Sequence, residues 1–199
     1  DGSTQYFSLS EVDYGSNALS NVDLDATIYI GFNADAAAAG VDYLYTLYQA
    51  SGVHFNIYTY TDANGVYVKF LWGYDGGASY QNFTVPHTFS TAEDIILGLS
   101  LDADNKTYIF TAQDVSTGTY YTTTEADKSL NGSFNAAFSP LYIGSGSSSS
   151  GFFDGTVYFV KVYDEAHTLA EMQTIVENTT SSSAVSYTHL RAHETEADL

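Results

Sequence analysis

Apolar and polar residues alternate with a period of two through most of this chain, the pattern of strands that turn one face to a core. Ile28, Ile30 and Phe32 alternate with Thr27, Tyr29 and Gly31, and Val53, Phe55 and Ile57 alternate with His54, Asn56, Tyr58 and Tyr60. Asp62-Ala63-Asn64-Gly65 follows, and Asn-Gly tolerates the positive φ angles of a type I′ hairpin turn. With Asn64 and Gly65 as the two loop residues, Tyr60 is expected opposite Lys69 and Ile57 opposite Trp72. That register gathers His54, Asn56, Tyr58, Tyr60, Tyr67 and Lys69 on one face and Phe55, Ile57, Phe70 and Trp72 on the other.

A second hairpin is predicted from Ile95 to Phe110. Ile95, Leu97, Leu99 and Leu101 point one way and residues Asp102 to Lys106 turn the chain; if the loop has four residues, Tyr108 and Phe110 fall opposite the leucines. Glycine and serine break the pattern again from Gly144 to Gly151. The strand Thr156 to Tyr163 then reads Thr156, Tyr158, Val160, Val162 on one face and Val157, Phe159, Lys161, Tyr163 on the other, so both faces can be covered. Only the stretch from Asp164 is helical in period, with Leu169, Met172, Ile175 and Val176 at helical spacing. The prediction is an all-β, antiparallel two-sheet sandwich with one short C-terminal helix.

Composition bounds the partners. The 199 residues are 44% hydrophobic, enough for one core, which places a single domain at 1–178 and a linker and tail at 179–199. A formal charge of -19 repels phosphate, so nucleic acid and anionic membrane surfaces are excluded as partners and a neutral or cationic partner is expected. The same acidity also serves solubility. There is no cysteine, hence no disulfide and no thiolate metal site. No run of about 18 apolar residues inserts into a membrane, and the absence of a basic-then-apolar leader is read as an export signal already removed. Asn82, Asn105, Asn131 and Asn178 each begin an N-x-S/T sequon, candidate glycosylation sites in a secreted or cell-surface glycoprotein.

The end of the folded part resembles a known family. LYIGSG, a small-residue loop, and then FFDGTVYFVKVYDEAHTLAEM is similar to the closing signature of laminin-G-like, concanavalin A-like lectin and glucanase jelly rolls. LSLDADNKTYIFTAQDVSTGTYY is similar to their central hairpin, and the resemblance spans roughly Leu9 to Glu177. It implies a jelly-roll sandwich whose last strand lies in the middle of a sheet, with the helix closing one end. Gly31 stands where members often carry a strand tryptophan.

Glycosidases of this fold use an E-x-D-x-x-E strand, because the two carboxylates of a retaining enzyme must flank the scissile bond at about 5 Å. No such pattern occurs, and the only arginine available to a lyase-like site is Arg191. No catalytic residue is assigned, and a polysaccharide hydrolase or lyase is the weakest of three readings. A non-catalytic lectin-like or adhesion module is favoured instead. Aromatic rings stack on the apolar faces of sugars while neighbouring amides, hydroxyls and amines bind their edges. The candidate ligand-binding residues are therefore His54, Asn56, Tyr58, Tyr60, Tyr67 and Lys69, with Trp72 and Tyr74 at a second place, the loop from Trp72 to Tyr80. Tyrosine is also an ordinary exposed strand residue, and Trp72 falls on the apolar face of the expected register.

Calcium is the structural cofactor the chain suggests. Asp102, Asp104 and Asn105 share one turn and Asp154 sits beside a glycine-rich loop, and hard cations take several oxygen ligands. These aspartates are also plain turn formers. The partner is a glycan or an extracellular protein. The rival reading is a glycosylated structural subunit of an extracellular coat or filament that self-assembles through its tyrosine-rich faces. Ser186 to Leu199, SYTHLRAHETEADL, reads like translated sequencing adapter and is set aside.

Overall fold

The computed structural model describes residues 7–9, 25–35, 40–48, 53–74, 79–102, 105, 107–125, 141–146, 152–163 and 165–181. In chain order these form β1 (Phe7–Leu9), β2 (Ala26–Ala34), β3 (Gly40–Tyr48), β4 (Val53–Asp62), β5 (Gly65–Tyr74) and β6 (Ser79–Phe89). Then come β7 (Asp94–Asp102), β8 (Thr107–Asp114), β9 (Thr119–Glu125), β10 (Leu141–Ile143), β11 (Gly155–Tyr163) and α1 (Leu169–Ser181). All strand pairs are antiparallel, and they build a six-stranded sheet in the order β1-β10-β3-β4-β5-β6 and a five-stranded sheet in the order β11-β2-β7-β8-β9.

Alternation explains the core. Ile28, Ile30 and Phe32 of β2, Phe55 and Ile57 of β4, Val66, Val68 and Phe70 of β5, and Ile95, Leu97, Leu99 and Leu101 of β7 are buried together between the sheets. Phe70 joins the two layers, lying 5.0 Å from Phe55 and 5.8 Å from Phe83 within its own sheet and 6.2 Å from Phe110 of the other, centroid to centroid. The β7–β8 hairpin pairs Asp102 with Thr107, so four residues turn the chain and Leu101 and Leu99 oppose Tyr108 and Phe110, as expected.

Four expectations are corrected. In the β4–β5 hairpin Asp62 pairs with Gly65, so Ala63 and Asn64 are the two loop residues, and Tyr60 faces Tyr67 while Tyr58 faces Lys69 and Ile57 faces Phe70. The cause is the Asp62 carboxylate, which accepts the Asn64 N–H at 2.7 Å and starts the turn one residue early, leaving the positive φ of +133° to Gly65. A Cβ at Gly65 would also run into the Phe89 carbonyl oxygen. The register slips by two residues, an even number, so each side chain keeps its predicted face.

Among the described residues β11 stands at an edge of its sheet and not in the middle. It has no second neighbouring strand among those residues; Val157 and Val160 are covered by the inter-sheet core, Phe159 and Tyr163 by the helix layer, and Val162 is left exposed. A bulge between Val157 and Phe159 sorts them: Val157 and Val160 pack on the core between the sheets, Phe159 and Tyr163 on the opposite side. Strict alternation had grouped Val157 with Phe159.

The helix does not close an end of the sandwich. It lies over the outer face of the five-stranded sheet, where Met172 and Val176 are buried with Tyr29 and Ile96. Two glycines make room for this layer. A Cβ at Gly98 would stand 2.6 Å from the Met172 methyl, and one at Gly31 would collide with the Phe159 ring, which fills the space of the side chain Gly31 lacks. The helix begins where Thr168 and Glu171 cap each other: the Thr168 N–H and hydroxyl donate to the Glu171 carboxylate at 2.8 Å and the Glu171 N–H donates to Thr168 Oγ1 at 3.3 Å. It runs to Ser181. Among the described residues no helix is long and apolar enough to cross a membrane.

Candidate functional site

The side chains of β4 and β5 that alternate with the core residues emerge on the outer face of the six-stranded sheet. Tyr60 and Tyr67, opposite each other, have ring centroids 6.1 Å apart with planes at 43°, and the Lys69 ammonium lies 5.1 Å from the Tyr60 centroid. Tyr58 pairs in the same way with Tyr43 of β3, at 5.8 Å and 42°. Val41 faces Tyr60 in register, and the two are 40% and 38% exposed. Four tyrosines, one valine and one lysine thus tile neighbouring positions of three strands.

Tyr43 was missed from sequence. A bulge between Tyr43 and Tyr45 breaks the alternation of β3, burying both Leu44 and Tyr45 in the core while Tyr43 stays on the outer face. Thr46, also missed, lies opposite Asn56 on that face. Both are buried, and Thr46 Oγ1 and Asn56 Oδ1 have no hydrogen-bond partner among the described residues. The only signal for either residue was the run of tyrosines in VDYLYTLY.

The remaining candidates scatter. His54 pairs in register with Gly73, Trp72 with Phe55 and Tyr74 with Val53, and their side chains lie outside the described residues. Asp104 and Asn131 also lie outside the described residues. The Asp102 carboxylate accepts the Asn105 N–H at 2.9 Å and its Nδ2–H at 2.8 Å, which holds the turn. Asp102 ends β7 beside the start of β2, whereas Asp154 precedes Gly155, which pairs with Ala34 at the far end of β2. Nine residues of strand, about 25 Å, therefore separate Asp102 from Asp154.

Asp154 has other company. Burial and then the Asp154 charge push the Asp42 carboxyl above its ordinary value, and the Asp154 carbonyl accepts the Asp35 N–H at 3.1 Å. On β11 the Tyr158 hydroxyl donates to Asp94 at 2.7 Å; burial, this bond and the Asp94 and Asp35 charges push the phenol up to about 12. Among the described residues no group of three His, Asp or Glu side chains is arranged to hold a metal ion. Of the sequons, Asn105 stands in the exposed β7–β8 turn, Asn178 is exposed on α1, and Asn82 lies in β6 opposite Leu71.

No protein-family model and no curated sequence matches the chain. Solved structures do. The CBM40 of the Ruminococcus gnavus IT-sialidase, in its complex with α2,3-sialyllactose, aligns over 86% of this chain and 95% of its own at 15% identity, TM-score 0.62. The enzymatically active domain of tailspike protein 2 from bacteriophage CBA120 aligns over 83% of this chain at 14% identity, TM-score 0.60, and this chain spans 28% of that one. The LG1–3 region of the laminin α2 chain aligns over 83% of this chain and 31% of its own at 11% identity, TM-score 0.53. The fold is the concanavalin A-like jelly roll shared by laminin LG and CBM40 domains.

Proposed function

We propose that this domain is a carbohydrate-binding module of an extracellular or cell-surface protein, and that it binds its glycan without transforming it. The observation that supports this is the outer face of the six-stranded sheet, where Tyr43, Tyr58, Tyr60 and Tyr67 present rings beside the Lys69 ammonium. Tilted rings on a rigid sheet offer stacking surface at little entropic cost, and the hydroxyls and ammonium supply directional bonds to sugar edges. A carbohydrate-binding module with sialyllactose bound is among the similar structures, which supports the class of ligand and not its identity.

The test is a glycan-array screen of the whole chain, with calcium and with a chelator, followed by titration of the best hit. The proposal expects saturable binding. Loss of binding on chelation would assign calcium a structural part at the Asp42–Asp154 rim or the Asp102 turn. Silence across the array would overturn the proposal.

A second reading, self-assembly as a structural subunit, is favoured by β11. This edge strand exposes Tyr158 at 52% and Val162 at 42% and carries one charged residue, Lys161, along its length. An edge of this kind is a template for pairing with another strand. Concentration-dependent growth in light scattering, abolished by a proline at Val160, would support it.

A further inference from the structure

We infer that the tyrosine face takes an internal stretch of a single extended polysaccharide chain, with equatorially linked sugars, and not a lone terminal sugar. This rests on the carbohydrate-binding reading above and adds the shape of the ligand and its linkage.

The four rings form a row. Tyr43 of β3 faces Tyr58 of β4, and Tyr60 of β4 faces Tyr67 of β5, so the row steps diagonally across three strands. Its two cross-strand steps are 5.8 and 6.1 Å between centroids, close to the length of one pyranose residue in an extended chain. The middle step, from Tyr58 to Tyr60, is two residues along one face of a strand, about 6.7 Å. Successive rings can therefore meet successive sugars. Chains whose glycosidic bonds leave the sugar ring equatorially run straight and keep that spacing, whereas axially linked chains coil and carry their residues away from a sheet face.

The surroundings of the row are low. Val41 stands beside Tyr60, and Thr84 and Thr88 of β6 stand beside Lys69 and Tyr67, side chains too short to enclose a sugar. A single sugar is held in a concave pocket that buries most of its surface. An open row must instead gather affinity from several contacts, each contributing a modest factor. The end ring is supported from the side, since a Cβ at Gly146 would come within 2.6 Å of Tyr43.

Ring tilt narrows the ligand further. Within the two pairs the planes differ by 42° and 43°. Rings that meet a crystalline polysaccharide must be coplanar, because its surface is flat. A tilted row matches one free chain that turns from each sugar to the next.

The experiment is a calorimetric titration of the full chain with cello-, xylo- and manno-oligosaccharides, each from one sugar to six, with malto-oligosaccharides as the axially linked control. One equatorially linked series is expected to show no measurable binding as the monosaccharide and to gain at least tenfold in affinity from disaccharide to tetrasaccharide. The malto series is expected to bind at least tenfold more weakly at equal length. Tyr43→Ala and Tyr67→Ala, at opposite ends of the row, should each weaken the tetrasaccharide about tenfold and the disaccharide less than about twofold, because the intact pair still holds two sugars. Tm near that of the parent in at least one of them makes this a reading of the site and not of the fold. Affinity that does not rise with length would overturn the inference, mark a terminal-sugar site and leave the carbohydrate reading standing. So would malto-oligosaccharides bound as tightly as the best series, retention on crystalline cellulose without binding of its soluble oligomers, or an equal loss at every length in the variants. Binding of no glycan of any kind would overturn both.

Discussion

On the five-stranded sheet the outer face is occupied by α1, and its tyrosine hydroxyls are engaged inside the molecule: Tyr29 with His167 Nδ1 at 2.8 Å, and Tyr120 donating to the Gln173 carbonyl at 3.2 Å. On the six-stranded sheet no described helix lies over the outer face, and the described contacts of Tyr43, Tyr60 and Tyr67 are ring to ring, with the Lys69 ammonium near Tyr60. The same residue type thus closes a core on one side and lines an outer sheet face with ring contacts on the other. Abundance of tyrosine says nothing about its role; the partner of its hydroxyl does.

The comparison can be broken most forcefully at Met172. Met172→Ala should destabilise the fold by about 2–5 kcal/mol in denaturant unfolding, as a buried large-to-small change does, because Met172 is fully buried under the helix. Tyr60→Ala on the other face should cost less than about 1 kcal/mol. Equal losses would mean that the two faces are not differently used.

Adding bulk probes the same contrast. Gly98→Val should cost about 1–3 kcal/mol by pressing against the Met172 methyl, 2.6 Å from the first added carbon. The penalty should shrink in the Gly98→Val, Met172→Ala double variant. Thr168→Ala should cost about 1 kcal/mol by opening the reciprocal cap with Glu171, and a shift of the helix signal in far-ultraviolet circular dichroism would follow it.

The smallest effect is a pH dependence at Tyr158. Its folded pKa of about 12 lies above the ordinary 10.0, so the fold favours the neutral phenol. The stability it contributes is fully present below pH 10 and is lost as pH rises through about 12. Solvent screening at this half-exposed side chain holds the effect below about 1 kcal/mol. The Tm difference between the protein and Tyr158→Phe should therefore narrow between pH 9 and pH 12; a constant difference would contradict the assignment.

Regular strands were legible from the sequence, and irregular ones were not. The alternation of β2 and of the β7–β8 hairpin was read directly, and the observed pairing of Asp102 with Thr107 meets the loop length on which the facing of Tyr108 and Phe110 depended. In β3 an extra residue at Leu44 and in β11 one at Tyr158 reset the alternation, and a bulge leaves no mark in a period-two pattern. In β6 the pairing jumps from Thr88 to Thr84 around Pro86, which cannot donate to a ladder, so that strand was not recognised. Helix placement was invisible for another reason: the space for Met172 and Phe159 is made by Gly98 and Gly31, and a glycine in a strand announces a missing side chain without saying what fills the gap. Of the candidate residues, Tyr58, Tyr60, Tyr67 and Lys69 keep their predicted face because an even register slip conserves faces. Tyr43 and Thr46 had to wait for three-dimensional pairing.

The central claim is that the tyrosine face is the binding surface. Its most direct test is a titration of the best array ligand into the whole protein, into Tyr60→Ala and Tyr67→Ala, and into Tyr120→Phe on the helix-covered face. The account predicts at least a tenfold loss of affinity for the first two variants with Tm held near that of the parent, and no loss for the third. Unchanged affinity in Tyr60→Ala and Tyr67→Ala would contradict it and move the binding surface elsewhere on the molecule.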